Sequence, residues 1–560
     1  MKKLTVLLLM LLAIMLMLVS CGKEQSSLGQ IEEINESSIV VALGTAKEDA
    51  MAGGENALSE SPENDSDQGE NLSSEGTPPK NGGAEQGSDP PSMLDFTGET
   101  VELEITGNTV ITKEGSEDFL DISALSVGNF VSLTYEGHEA KTVILQEAGG
   151  GVAENSSVGS IELTAVETID GTDEILDGET VAAEEENLSS VLVRNGGNLT
   201  ANGARLTKRG DTSSEDESNF YGLNAGFVVS SNSTADLTDV TISTEAEGAN
   251  AIFATGEGAS VSIHGITIHT TGNSSRGLDA TYGGSIVAED VDITTTGDHC
   301  ATLATDRGEG TINVTGGTLS TAGDGSPCIY STGDIVAKDI TGTATGSQSM
   351  VVEGKNSITI EHCDLTGAGP NGVMIYQSTS GDAELGTGVL TAADSAISTI
   401  SDGPMFYITN TEAEIHLTNV ELNFDSNILV DVAGNNTNNW GIPGANGGNL
   451  TFTAKKQILM GDVLCDDISA VALDLSEGST FTGAVDADNS GTVSIALSSD
   501  SVWEVTADSY VSSITDDDES LANIVSNGHT IYYDSDNEAN AWLNGATVTL
   551  DGGGALTPQA

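Results

Sequence analysis

Pairs of short segments in which apolar and polar residues alternate recur along most of this chain. In residues 277–297, "GLDATYGGSIVAEDVDITTTG", Ile286 and Ala288 alternate with polar neighbours before a polar corner at Asp290, and a second alternating run follows. The stretches "SVSIHGITIHT" and "EAEIHLTNVEL" repeat this arrangement elsewhere in the chain. Alternation with a period of two predicts strands that bury one face.

An apolar triplet opens each pair of strands, and the spacing between triplets is nearly constant. Seven of nine spacings lie between 22 and 26 residues, and the other two are longer, as insertions into a fixed coil would make them. Periods of this size are typical of solenoids. The triplets begin at Val191, Phe227, Ile252, Leu278, Thr302, Cys328, Met350, Val373, Met405 and Ile428.

These patterns predict an all-β chain whose main domain, residues 155–499, is a right-handed parallel β-helix. Each unit makes one turn of three short strands, equivalent strands pair in parallel, and parallel crossovers are almost always right-handed. Stacking gives the coils a shared core that one coil cannot build alone. A β-sandwich, the alternative, does not explain why paired strands recur in the same order. Aromatic-rich residues 500–560 predict a terminal cap that protects the last edge.

The second position of each opening triplet is also apolar, except at Asp279. Neighbouring residues on a strand point to opposite faces, so the whole triplet cannot face the core. Either the coil bends there, or an apolar stripe lies outside and is covered by a loop or a partner.

The N-terminal part has a different organisation. Residues 1–20 combine a basic start with an apolar run, which predicts a signal peptide. Residues 21–28 are a tether, and residues 29–146 hold the strand patterns of a small β module similar to OB-like modules of exported proteins. Within it, residues 47–93 contain no aromatic residue and one β-branched residue, which predicts a disordered acidic insert. We regard this module as a stalk or spacer.

The signal peptide ends in "LVSCG", which resembles the lipobox of bacterial lipoproteins. The resemblance implies lipidation at Cys21 and an extracytoplasmic, cell-surface location, with the membrane contacted through the lipid anchor alone. Several acyl chains on one cysteine make a lasting anchor, whereas one chain binds only marginally.

The formal net charge of −69 narrows the classes of partner that the chain is expected to bind. A field of this sign argues against binding nucleic acid and favours a neutral or basic partner or a cation. Four cysteines follow Cys21 without metal-site spacing; disulfides are permitted in an exported protein, but buried free thiols are favoured. They are Cys300, Cys328, Cys363 and Cys465.

Coils, cap and lipobox together resemble bacterial surface lipoproteins of the pectate-lyase-like β-helix type, many of them adhesin-like. Phrases such as "FYGLNAGF", "GLDATYGGS", "ATDRGEG", "IYSTGD" and "GVMIYQSTSGDAELGTG" carry the resemblance. It implies two activities to test, polysaccharide lysis and hydrolysis. The hydrolase set is incomplete, because the chain has Asp466-Asp467 but no Gly-His-Gly and no Arg-x-Lys.

A lyase of this type uses calcium held by aspartates on neighbouring coils and a basic residue as the base. Asp279 and Asp306, with Arg307 as the base and Arg276 nearby, are the catalytic candidates; a surface salt-bridge ladder is the alternative. Asp486 and Asp488 in "DADNSG" are weak metal candidates, since Ser490 and Leu497 break the EF-hand pattern. No cofactor is required, although acid-rich corners are compatible with calcium.

Carbohydrate binding has the clearer outline. Two insertions, residues 377–386 and 433–448, leave the coil just after its opening strand, two coils apart, so they should project from the same side. Aromatic faces beside amides and carboxylates are what sugar sites use. The binding candidates are Trp440, Tyr376, Gln377, Asp382 and Tyr407.

The sequence therefore favours a monomeric, non-enzymatic surface protein that binds a glycan or another cell-surface partner. A calcium-dependent polysaccharide lyase is the second hypothesis, and a structural spacer is the third.

Overall fold

The structure is a computed structural model that describes residues 25–34, 38–46, 94–106, 109–113, 125, 130–136, 138–145, 161–437 and 439–559. It divides the chain into two compact units, residues 1–148 and 149–560. The predicted signal peptide, Cys21 and the acidic insert at residues 47–93 lie outside the described residues.

The N-terminal unit is a single six-stranded sheet that curls toward closure. The first three strands pair antiparallel in sequence, the first also pairs with the fifth, and the fifth and sixth form a hairpin. A parallel pairing of Glu104 on the third strand with Glu139 on the sixth joins the two ends of this order, and the resemblance to OB-like modules stays a prediction. The strands are Gln25–Ile34, Ser38–Ala46, Leu94–Glu104, Val110–Lys113, Phe130–Glu136 and Glu139–Leu145. The first strand thus begins inside the predicted tether.

The second unit is the predicted parallel β-helix, of about 16 turns. One wall, which we call the short-strand sheet, contains twelve parallel strands. Each contributes three to seven residues and pairs with the equivalent strand one coil away. They are Thr164–Asp170, Leu188–Arg194, Phe227–Ser230, Ile252–Thr255, Leu278–Thr281, Leu303–Thr305, Ile329–Ser331, Met350–Glu353, Val373–Tyr376, Phe406–Thr409, Ile428–Val432 and Asp462–Cys465.

The other two walls belong to one bent sheet of nineteen strands, the long-strand sheet. Its strands are Asp173–Asp177, Thr180–Ala183, Asn198–Asn202, Arg205–Lys208, Thr234–Thr244, Ser260–Thr270, Ser285–Thr295, Thr311–Thr321, Asp334–Ala344, Ser357–Glu361, Asp364–Gly367, Thr387–Ala393, Ala396–Thr399, Glu412–Thr418, Glu421–Asn423, Asn449–Lys455, Ala470–Ser476, Thr492–Leu497 and Ser513–Asp516.

The bend in the long-strand sheet lies at the predicted polar corners. Asp290 has φ 57°, Gly265 φ 75° and Asn419 φ 54°, all in the left-handed region. Glycine, asparagine and aspartate adopt this conformation at the lowest cost, so their placement at successive corners turns the chain at the same point in each coil. One residue per coil therefore converts a long strand into two walls.

The core runs the length of the solenoid between the three walls. Ile286 and Ala288 before the corner, and Val291 and Ile293 after it, are all buried, as their alternation predicts. Burying one such aliphatic side chain stabilises the fold by about 1.5–3 kcal/mol. Because each coil repeats the same inward positions, one continuous apolar column serves all coils.

The register of the opening triplets needs a correction at four coils. Ile252 and Leu278 pair as predicted, but the next residue in the column is Leu303 and not Thr302. Runs of three consecutive apolar residues fit the column in two registers, and the period of two gives no way to choose. The same one-residue slip affects Cys328 and Met405, whose column positions belong to Ile329 and Phe406, and at Ile428 the shift is two residues, to Val430.

The C-terminal residues continue the coils past the predicted boundary at residue 500. Two further sheets of four strands each complete the solenoid, and the cap proper is the 3₁₀-helix Glu538–Leu543 with the antiparallel strand that follows it. Trp542 donates from Nε1 to the Ile514 carbonyl at 3.1 Å. The strands are Ile458–Met460, Thr480–Gly483, Val502–Val505 and Ile524–Val525, then Ser509–Val511, Thr530–Tyr533, Val548–Thr549 and Ala555–Pro558.

The four cysteines of the β-helix are buried free thiols. The Cys300 thiol, for example, lies inside a turn, where it accepts a hydrogen bond from the Ser275 amide at 3.0 Å. The equivalent position one coil later is Ser326, whose hydroxyl accepts from the Cys300 amide. Burial raises the pKa of the Cys300 thiol to about 11. Within the described residues, no helix has the length and apolar composition that a membrane span requires.

Candidate functional site

The outward side of the short-strand sheet is overlaid by three insertions, and we call it the covered face. A segment at residues 209–226 carries the short helix Glu215–Tyr221, and the two predicted insertions at 377–386 and 433–448 follow several coils later. Leu192, Val228 and Phe253 on this side are almost completely buried. The second apolar positions of the triplets that begin at Val191, Phe227 and Ile252 thus form an outer apolar stripe, which packs with Ala225 of the first insertion.

The helix was not predicted, and its ends show how the chain builds it. The Ser214 side chain accepts from the Glu217 amide as the N-cap, and Gly222 ends the helix with φ 76°. A Cβ at Gly222 would lie 2.7 Å from the Phe253 ring. Position 222 therefore requires glycine for two reasons: the left-handed backbone turn, and the close approach of the backbone to the Phe253 ring.

A buried ionic cluster lies beneath the end of this helix. Arg276 Nη2 is 2.8 Å from Asp306 Oδ2, and its Nε is 3.8 Å from Asp279 Oδ2. Asp279 is fully buried and neither carboxylate oxygen has a hydrogen bond among the described residues. Burial raises the pKa of Asp306 to about 7 against the opposing effect of Arg276, and it raises the pKa of Asp279 well above its usual range.

Arg307 joins the helix to the first loop. Its Nη2 donates to Asp382 Oδ1 at 2.7 Å, and its guanidinium carbon lies 3.9 Å from the centre of the Phe220 ring. An arginine over an aromatic face gains a cation–π interaction of about 0.5–2 kcal/mol, depending on desolvation. Next to it, Tyr221 and Tyr282 stack with ring centres 5.4 Å apart. Burial raises the pKa of Arg307's neighbour Tyr282 above its usual range.

Glu353 organises the tyrosines under the first loop. Its carboxylate accepts from the Tyr330 hydroxyl at 2.5 Å and from the Tyr376 hydroxyl at 2.8 Å. The Ser378 hydroxyl donates to the other oxygen. Glu353 is 1% exposed, and burial raises its pKa. A buried carboxylate with three hydroxyl donors fixes the orientation of both aromatic rings.

The two predicted loops meet over this network. The ring centres of Tyr376 and Trp440 are 4.7 Å apart, and the Thr379 amide donates to the Asn439 carbonyl at 2.7 Å. Inside the second loop, Asn446 donates to the Trp440 carbonyl at 2.9 Å and so holds the tryptophan backbone in place. The prediction that both insertions project from the same side is confirmed.

The structure places the sequence-derived candidates as follows. All five binding candidates and all of the catalytic candidates belong to the covered face, where Asp382 of the first group pairs with Arg307 of the second. Gln377 is buried and donates to two loop carbonyls. Tyr407 is in register with Met374 and Asp431, and burial raises its pKa. The residues of the two predicted sites therefore lie on one face and are joined by the Arg307–Asp382 contact.

Of the weak metal candidates Asp486 and Asp488, the first stabilises a turn. Both oxygens of Asp486 accept backbone amides, from Ser490 at 3.0 Å and Gly491 at 3.1 Å, which makes a tight turn, and Asp488 is exposed. Across the described residues, no three His, Cys, Asp or Glu side chains are grouped to hold a metal ion. Asp279 and Asp306 face Arg276, which occupies the position where a cation would neutralise them.

Sequence reasoning missed the helix, Glu353 and the tyrosines Tyr221, Tyr282 and Tyr330. A signal for Glu353 was present, because a carboxylate ends the apolar run "MVVE" at a position that is Ser230, Thr255, Thr281, Tyr376 and Thr409 in other coils. The quoted phrases "FYGLNAGF", "GLDATYGGS", "ATDRGEG" and "IYSTGD" all map to the covered face. The period places the last three on successive coils, whereas "FYGLNAGF" lies in an insertion that breaks the period.

Comparison of the chain with the profiles of known protein families, with curated proteins and with solved structures finds no match.

Proposed function

We propose that the chain is a non-enzymatic cell-surface binding protein that takes a glycan on the covered face. The observation that carries the proposal is the cluster of half-buried aromatic rings there, with Tyr376 and Trp440 in contact where the two loops meet. Tyr221 and Tyr282 add a stacked pair near Arg307. Sugar rings pack against aromatic faces while amides and carboxylates bind their hydroxyls, and the covered face offers both.

Preorganisation supports the proposal. Glu353 holds Tyr376 through a hydrogen bond, and asparagines hold the loop that carries Trp440. Side chains that are fixed before binding lose little conformational freedom when a ligand arrives, and this raises affinity. A spacer, the third hypothesis from the sequence, has no use for a network of this kind.

The polysaccharide lyase is the second candidate, because Arg276, Asp279, Asp306 and Arg307 do assemble. Their contacts favour binding over catalysis. Asp306 is paired with Arg276, and Arg307 is paired with Asp382 and stacked on Phe220, so neither a calcium ligand set nor a free base is displayed. A pectate-lyase-like activity would require this network to open.

The experiment is a glycan array probed with the full chain, followed by titration of the glycans retained. We expect Trp440→Ala to abolish binding and the matched variant Trp542→Ala, in the distant cap, to keep it. Loss of binding in both variants, or in neither, would contradict the placement of the site. Thermal unfolding of each variant checks that the fold is intact.

A turnover assay on uronate polymers separates the lyase. Unsaturated products that absorb in the ultraviolet, and that disappear in Arg307→Ala, would replace the binding proposal with the catalytic one. We expect no such products from the native chain.

The proposed location follows from the "LVSCG" resemblance at the end of the predicted signal peptide. We expect Cys21→Ser to release the chain from the membrane fraction of an expressing bacterium into the soluble fraction. Membrane retention of this variant would show that Cys21 is not the anchor.

A further inference from the structure

The cations around the covered face are already used by the protein itself. Arg276 contacts Asp279 and Asp306, and Arg307 contacts Asp382. Lys355 lies 2.8 Å from Glu309 and 2.6 Å from Glu384. An anionic sugar would have to compete with these carboxylates for each cation, and the pairs are partly or wholly desolvated, which strengthens them.

The rim of the site has an excess of negative charge. The first turn of the helix carries Glu215, Asp216 and Glu217, and beside the first loop Glu309 and Glu384 share Lys355 as their counter-ion. A surface of one sign raises the local concentration of ligands with the opposite charge.

One buried polar group points to a ligand independently of the rim. Gln377 is 5% exposed, its Nε2 donates to the Ser378 and Ala383 carbonyls, and its Oε1 has no donor among the described residues. A buried acceptor left without a hydrogen-bond donor is costly, so Gln377 Oε1 needs one. Tyr and Trp faces also attract ammonium groups.

We propose that the glycan recognised on the covered face carries free primary amines, as oligosaccharides of glucosamine do. This inference rests on the proposed function and narrows it. Ammonium groups match the acidic rim, the aromatic faces and the unfilled Gln377 acceptor together, whereas a neutral N-acetylated chain offers amide and hydroxyl donors without the positive charge that the acidic rim attracts, and a uronate chain meets carboxylates.

The test compares three oligosaccharides of equal length with the full chain by calorimetric titration: glucosamine, N-acetylglucosamine and galacturonate oligomers. We expect the glucosamine series to bind about tenfold or more tightly than the N-acetylated series, equivalent to about 1.4 kcal/mol. Raising the salt concentration should narrow the gap, because screening weakens exposed charge pairs. Galacturonate should show no binding.

Two substitutions sharpen the result. Asp382→Asn removes the partner of Arg307 and should weaken glucosamine binding about two- to fivefold while making galacturonate binding measurable. Asp236→Asn, an equal change of charge at an exposed site on the long-strand sheet, should leave all three affinities unchanged.

The outcomes distinguish the two proposals. Equal or tighter binding of the N-acetylated or galacturonate series would overturn the ligand class and leave glycan binding standing. Absence of binding by the glucosamine series would also overturn it, and the proposed function would then depend on the wider array. If the array is silent as well, both proposals fail.

Discussion

The long-strand sheet and the covered face of the short-strand sheet belong to the same coils, yet they treat polar residues in opposite ways. On the long-strand sheet, inward residues are apolar apart from Lys208 and threonines at the strand ends, and outward residues such as Glu289 and Asp292 are exposed to solvent. On the covered face, outward residues such as Asp279 and Glu353 are taken out of water. Exposed charges cost little, whereas buried charges need partners and carry a desolvation penalty.

This difference in the burial of outward polar residues indicates which face of the solenoid carries the function. Stacked coils need apolar columns inside and solubility outside, and the long-strand sheet satisfies both needs alone. A network of buried charges and tyrosines under three insertions adds nothing that a solenoid requires. Perturbed titratable groups cluster at functional sites for this reason.

The largest expected effect comes from breaking the buried ionic cluster. Arg276→Met leaves Asp279 and Asp306 without their counter-charge, which should lower the free energy of unfolding by about 3–5 kcal/mol at neutral pH. The matched variant Arg209→Met removes an exposed arginine whose Nε is 3.1 Å from Glu245 and should lower the stability far less, because exposed ion pairs contribute little. Chemical denaturation of both variants measures the contrast, and equal losses would contradict it.

A smaller effect is expected from two glycines with similar backbone conformation. Gly222 has φ 76° and Gly178 φ 80°, but a Cβ meets the Phe253 ring at the first and open space at the second. Gly178→Ala should cost about 1 kcal/mol through backbone strain. Gly222→Ala adds about 1–3 kcal/mol of overpacking, and hydrogen exchange of residues 215–221 should accelerate. Identical losses would mean that the helix does not pack closely on the covered face.

The third prediction concerns the dependence of stability on pH. Burial raises the pKa of Asp306 to about 7. Between about pH 4 and 7 the folded chain therefore keeps a proton on Asp306 that the unfolded chain has already released. The folded state thus binds more protons in this window, and the contribution of Asp306 to stability falls as pH rises, by at most about 1.4 kcal/mol per pH unit.

Asp306→Asn should remove that contribution, so the difference in stability between the native chain and this variant should change across the window. Asp292→Asn, an exposed aspartate on the long-strand sheet, is the control and should leave the pH profile unchanged. Parallel profiles for the native chain and Asp306→Asn would show that the carboxylate titrates normally in its buried place.

The same contrast explains how far the sequence could be interpreted. Inward columns repeat in each coil, so Ile286, Val291 and the Asp290 corner predict the β-helix and its bend from local pattern alone. The sequence predicted Thr302 in the inward column, but Leu303 occupies that position. The period cannot correct this error, because Thr302, Leu303 and Ala304 are all buried and fit two registers equally well.

Only parts of the covered face could be predicted from the sequence. Arg276 and Asp279 lie close in sequence, and Asp306 and Arg307 follow one coil later, so the period brings them together. Asp382 reaches Arg307 across 75 residues, from an insertion whose path no period describes. Glu353 and Tyr330 became part of the site through hydrogen bonds that depend on side-chain direction and not on composition.

Hydrogen exchange of the full chain, with and without saturating glucosamine oligosaccharide, tests the central claim most directly. The account predicts slower exchange in residues 377–386 and 433–446 and in the helix Glu215–Tyr221, with no change in the long-strand sheet, for example in Ser285–Thr295. Protection confined to the long-strand sheet would contradict the assignment of the covered face as the binding site, and no protection anywhere would contradict glucosamine oligosaccharides as its ligands.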